Sequence, residues 1–225
     1  MKDCFEVRTR EQGDPYEFRA PYYWATVPQS DRMVLNTLAP SQKSHMPLDK
    51  QQRIIDIMRA NPEAGYAFFG PSGWSKSTFM YALFRAALRR QCDLDFSAGY
   101  SGLVNRYNPC VFVSASRLMD DIEAWKYKDG PHPIITDLKI DRMRTRGVKF
   151  SVYLDEFEKI RKSPFRMEES YKIIEALYKA RDFCQLVIAG NMSKEDLEDR
   201  NQYMEGTPRR IEALTSPHFW DFGGQ

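Results

Sequence analysis

The sequence predicts a doubly wound α/β fold with a mostly parallel sheet, on three observations. Short apolar, β-prone runs alternate with stretches of helical period along most of the chain. One such run ends at Gly70 and passes through a Gly/Pro loop into a helical pattern at Phe79. Two later runs end in polar tips, Asp155-Glu156 and Asn191, and strand tips are where open parallel sheets bind ligands.

The chain's 225 residues suffice for one substantial core or a domain with an appendage. With 42% hydrophobic and 28% charged residues, the composition is that of an ordinary globular protein. The net charge of +2 gives no whole-molecule attraction to nucleic acid, so any basic surface must be local. Cys4, Cys92, Cys110 and Cys184 are scattered singly, which argues against a zinc site or a disulfide framework. No apolar run approaches the roughly 18 residues that span a bilayer. The amino terminus, Met1 to Glu6, lacks a signal peptide's apolar core, so a cytoplasmic protein without membrane partners is expected.

Residues 1–47 mix prolines, charges and aromatics without a sustained period and read as an amino-terminal arm lying against the main domain, residues 48–225. Leu48 to Ala60 has the spacing of an amphipathic helix that Asn61-Pro62 ends. A polar connection from about Gln91 to Asn108 precedes a buried strand at Cys110 to Ser114 and a helix from Arg117 to Trp125. Lys126 to Pro133 reads as a loop. Leu138 to Arg146 reads as a helix whose Lys139, Arg142, Arg144 and Arg146 form either a solvated face or a contact for nucleic-acid phosphates. Val148 to Leu154 reads as a strand, Glu168 to Arg181 as a helix and Gln185 to Gly190 as a strand. Short helices follow at Lys194 to Arg200 and from Pro208, and then a short tail from Ser216.

The loop Gly70-Pro71-Ser72-Gly73-Trp74-Ser75-Lys76-Ser77-Thr78 carries the chemistry. Gly70, Lys76 and Ser77 fall on the first Gly, the Lys and the Ser/Thr of a phosphate-binding P-loop, and Ser75 stands where its second glycine belongs. Unpaired N–H groups at a helix start, at the positive end of its dipole, stabilise a polyphosphate. Lys76 adds a point charge, and the Ser77 hydroxyl is a ligand for Mg²⁺. Downstream, Asp155 is expected in the Mg²⁺ shell, Glu156 to polarise the water that attacks the terminal phosphate, and Asn191 to position that water.

With these marks in order, residues from about 45 to 215 resemble the DnaC/IstB-like group of AAA+ ATPases, the helicase loaders and transposition helper proteins. The resemblance rests on Gly70 to Thr78 as Walker A, Leu154-Asp155-Glu156 as Walker B, Ala189-Gly190-Asn191 as sensor 1, and Arg209-Arg210-Ile211. It implies an AAA+ P-loop fold and binding of ATP with Mg²⁺. It further implies ATP-dependent self-assembly, with Arg209 or Arg210, and Arg210 in the first place, reaching a neighbouring copy's ATP. The fifteen residues after Arg210 are too few for a full carboxyl-terminal helical lid.

The function this implies is ATP hydrolysis used to assemble on DNA, single-stranded in the first place, and to load or regulate a replicative helicase or a transposase. A second reading, motivated by Ser75, is a nucleotide-binding switch or scaffold with little hydrolysis. A third, a small-molecule kinase, would need an acceptor site and a mobile lid, and the Asp-Glu and Arg-Arg pairs favour the AAA+ reading over it.

Overall fold

The computed structural model describes residues 35–97, 110–125, 149–160, 163–199 and 203–223. Most of the arm, much of the connection before Cys110, the loop at 126–133 and the basic helix expected at 138–146 lie outside the described residues. The elements, in chain order, are α1 (Leu48–Ala60), β1 (Tyr66–Phe69), α2 (Lys76–Ser97), β2 (Cys110–Ser114), α3 (Ala115–Trp125) and β3 (Phe150–Asp155). A single 3₁₀ turn (Phe157–Ile160) then leads to α4 (Pro164–Lys179), β4 (Cys184–Gly190), α5 (Lys194–Glu198), α6 (Thr207–Thr215) and β5 (Phe219–Asp221).

The five strands form one sheet in the order β2-β3-β4-β1-β5, and every pairing is parallel. Two core layers follow from the period of two along the strands. Tyr66 and Phe68 of β1, Tyr153 of β3, and Val187 and Ala189 of β4 face α1 and α2. Ala67 and Phe69, Val152 and Leu154, and Leu186 and Ile188 face α3, α4 and α6. Burial on both faces explains why the strands read as continuous apolar runs.

Local chemistry sets the helix boundaries. In α1, Gln51, Ile54, Ile55 and Met58 are buried on one face, Asp49 sits in the first turn and Arg59 in the last. α4 begins four residues before the expected Glu168, because the Ser163 hydroxyl accepts from Arg166 N at 3.2 Å and Pro164 starts the helix. α5 carries a reciprocal capping box between Ser193 and Asp196.

The tail is more than an appendage. Phe219 to Asp221 forms β5 and pairs with Ala67 to Phe69. Trp220 stacks on Phe68 at 5.2 Å and on Tyr66 at 5.5 Å between ring centroids. A strand of three residues has too little pattern to be legible without the edge of β1 that it covers.

A buried polar network ties the sheet to the turn before β1. Gln185 donates through Nε2 to the carbonyls of Pro62 and Ala64 at 3.0 and 2.8 Å, and its Oε1 accepts from the Ser151 hydroxyl at 2.9 Å. The buried Ser151 and Gln185 side chains thus have protein partners for their polar groups. On the far side of α1, Arg59 donates to the carbonyls of Leu35, Asn36 and Leu38, and Gln51 holds Ser41 and Met46. Residues 35–46 of the arm therefore pack against the domain.

Candidate functional site

Because all strands are parallel, their carboxyl ends share one edge, and register brings the tips together. Ser114 pairs with Asp155, Phe69 with Gly190, and Phe69 with Asp221 on its other side. Gly70, Asp155 and Asn191, far apart in sequence, thereby meet on that edge.

The loop after β1 turns on three residues of positive φ, Gly70, Gly73 and Ser75. Gly70 and Gly73 have φ of 132° and 81°, conformations that side chains disfavour. A Cβ on Gly70 would lie 2.7 Å from that of Phe222, so space as well as angle demands glycine. Ser75 has φ of 59° and keeps the left-handed conformation that glycine adopts freely. α2 starts at Lys76, three residues before the expected Phe79, so the amides of Lys76, Ser77 and Thr78 are the unpaired donors of its first turn. The loop is also anchored from outside: His45 N and the Ser44 hydroxyl donate to Gly73 O at 2.9 and 3.3 Å.

Lys76 is only 7% exposed. Its ammonium donates to the carbonyls of Gly70 and Pro71 and to Asn191 Oδ1, the last at 2.9 Å. Burial lowers its pKa below the ordinary lysine value, against the pull of the Glu158 and Asp155 carboxylates. Asp155 is raised by its burial, while hydrogen bonds from Glu156 N at 2.9 Å and from the Ser77 hydroxyl favour its charged form. A hydroxyl and a carboxylate already in contact form a hard-oxygen donor pair, which suits Mg²⁺. Among the described residues no group of three His, Cys, Asp or Glu side chains gathers as a metal cage, and an ion sharing its shell with phosphates needs none.

Glu156 sits on left-handed backbone, φ 57°, and points along the edge toward β2. The Ser114 hydroxyl donates to its Oε2 at 2.7 Å and Lys159 donates to its Oε1. The Lys159 contact keeps the Glu156 carboxyl below the usual glutamate range. Asn191 is held by Glu158, which accepts from Asn191 N at 2.9 Å and from Nδ2 at 3.2 Å. Sequence reasoning missed Ser114, Glu158 and Lys159. The available signals were a polar strand tip on β2 and the run of charges after Asp155, neither of which says what it touches.

Arg209 and Arg210 lie on α6 and are not gathered with the strand tips. Arg210 stacks its guanidinium on Tyr171 at 4.8 Å, donates to Gly206 O at 3.2 Å and lies 4.0 Å from Glu175. Arg209 is exposed. Among the described residues no helix is long and apolar enough to cross a membrane.

No protein-family model matches the sequence, and no curated protein matches it. Among solved structures the chain is similar to the crystal structure of the DnaC helicase loader, with a TM-score of 0.54 at 16% identity. That match covers 88% of this chain and 98% of that one. It is also similar to the replication initiator DnaA bound to AMPPCP and single-stranded DNA, with a TM-score of 0.51 at 13% identity over 84% of this chain. The match spans about half of that initiator's length, 49%. The chain thus has an α/β P-loop NTPase fold, which it shares with the structures of the DnaC helicase loader and the replication initiator DnaA.

Proposed function

We propose that this protein is an AAA+ ATPase that binds ATP with Mg²⁺, assembles with copies of itself on DNA, and loads or regulates a replicative helicase or a transposase. The observation that carries the ATP reading is the gathering of Lys76, the Ser77–Asp155 pair and Asn191 on one strand edge, beside a P-loop backbone kept through Ser75. The DNA and partner reading takes its support from the fold shared with a helicase loader and with an initiator bound to single-stranded DNA.

The residues divide the work by chemistry. The amides from Ser72 to Thr78 and the Lys76 ammonium bind the phosphates, and Ser77 and Asp155 hold the Mg²⁺, whose charge offsets that of the phosphates. Glu156 takes a proton from the attacking water as its oxygen bonds to the γ-phosphorus. The bond to the β,γ-bridging oxygen breaks and its electron pair leaves with ADP. Asn191 orients the water or the γ-phosphate. Exposed Arg209, rather than stacked Arg210, is the residue free to reach a neighbouring copy's phosphates.

One observation favours the switch reading instead. Glu156 is engaged by Ser114 and Lys159, and hydrolysis requires that it leave them. ATP turnover of the full chain, with and without single-stranded DNA, separates the two readings. Turnover that rises with DNA and is abolished in both Lys76→Ala and Glu156→Gln supports the ATPase. ATP binding without turnover under either condition overturns it in favour of the switch.

A further inference from the structure

Glu158 has no part in the site expected from the sequence, yet it makes both of its hydrogen bonds to one residue of that site. Its carboxylate accepts from Asn191 N and from Asn191 Nδ2. On the other side of the same amide, Asn191 Oδ1 accepts from Lys76 Nζ. The two ends of an asparagine amide have nearly the same shape and differ in chemistry, since the oxygen only accepts and the nitrogen only donates. An ionised carboxylate only accepts, and an ammonium only donates. Between Glu158 and Lys76, one orientation of Asn191 satisfies both neighbours. The reverse orientation sets donor against donor at Lys76 and acceptor against acceptor at Glu158.

We propose that Glu158 is a positioning residue for ATP turnover: it clamps Asn191 by backbone and side chain, so that Oδ1 faces Lys76 and one Nδ2 proton remains for the water or the γ-phosphate. The proposal rests on the ATPase reading above. Glu158 acts through Asn191 and Lys76, and a glutamate is required because a single group must accept two hydrogen bonds from one neighbour. A glutamine at 158 offers one acceptor and brings a donor of its own, which favours the reversed Asn191 amide and sets its nitrogen against Lys76.

The test compares ATP turnover, magnesium-dependent binding of a fluorescent ATP analogue, and melting temperature for the wild-type chain, Glu158→Gln, Asn191→Ala and the double variant. The expected result is a kcat about tenfold or more lower in Glu158→Gln with KM within about threefold, the split that marks loss of an interaction made in the transition state. The double variant turns over no more slowly than Asn191→Ala alone, because both substitutions disable one unit. Wild-type kcat in Glu158→Gln overturns the proposal. So does a double variant whose loss is the product of the two single losses.

A wild-type protein that binds ATP without hydrolysing it defeats the ATPase reading and leaves the clamp to be read directly. The same readout serves if Glu158→Gln does not fold. In wild-type protein the Asn191 side-chain amide signals, identified by their absence from Asn191→Ala, exchange with solvent more slowly than those of other exposed asparagines. Exchange at the rate of a free amide overturns the clamp.

Discussion

The Ser77 hydroxyl donates a hydrogen bond to the Asp155 carboxylate, joining the first turn of α2 to the tip of β3. Burial raises Asp155 above the ordinary aspartate value of 3.8, so its charge is lost at a higher pH than a free aspartate's as the solution is acidified. The sign for stability is opposite to that for function. Between 3.8 and the raised value the folded state holds the proton more tightly than the unfolded one, so stability falls as pH rises through that window, while Mg²⁺ binding improves. At subsaturating Mg²⁺, the magnesium-dependent ATP affinity therefore falls on acidification with a midpoint above the ordinary aspartate value. Glu156→Gln removes a neighbouring carboxylate charge that helps raise Asp155, so it moves that midpoint toward acid. A midpoint that persists in Asp155→Asn would reassign the metal ligand.

Ser75 keeps a left-handed conformation that costs a residue with a Cβ about 1 to 2 kcal/mol. Glycine relieves that strain and gives back about 0.5 to 1 kcal/mol through the freedom it adds to the unfolded chain. Ser75→Gly is expected to stabilise the protein by about 0.5 kcal/mol, and Ser75→Val to destabilise it by about 2 kcal/mol. Denaturant midpoints at constant slope measure both. A destabilised Ser75→Gly would mean that the serine hydroxyl holds the loop.

Arg210 and Arg209 should separate cleanly. Arg210→Ala removes a stacked, half-buried guanidinium from Tyr171 and is expected to destabilise the chain by about 1 to 2 kcal/mol, lowering its melting temperature. Arg209→Ala should leave the melting temperature unchanged and lower assembly-dependent turnover by about a thousandfold. Mixing Arg209→Ala with Lys76→Ala protein should recover part of the activity, because the mixture contains interfaces with one intact P-loop and one intact arginine. Full turnover in Arg209→Ala removes it from the site.

Gln185→Leu deletes the partners of the Pro62 and Ala64 carbonyls and of the Ser151 hydroxyl at once. The buried hydroxyl of Ser151 loses its partner at a cost of about 1 to 3 kcal/mol, while the two carbonyls are only part-buried and add little, so a loss of roughly 2 kcal/mol is expected from chemical denaturation. A change under about 1 kcal/mol would mean that water reaches the network.

Much of the fold could be read from the chain because its strands are buried on both faces and its helices on one. Leu48–Ala60 matches the expected helix end for end, as does Cys110–Ser114 for its strand, because Pro62 and the flanking polar residues mark their limits. Helix starts were less legible where a cap decides them, as Ser163 does for α4. β5 was illegible, since three residues become a strand only through the edge of β1.

By itself the sequence determined the P-loop, the acidic tip of β3 and the amide tip of β4, because local spacing and the strand-to-helix context specify them. Which side chains touch was decided by the tertiary structure alone. Parallel pairing carries Ser114, Asp155 and Asn191 to one edge from three separate runs. The same packing turns Glu156 toward Ser114 and Lys159, seats Glu158 under Asn191 and stacks Arg210 on Tyr171. The reason is physical: a motif reports the backbone a short segment adopts, whereas hydrogen bonds and ring contacts between distant segments depend on the register of strands and the docking of helices.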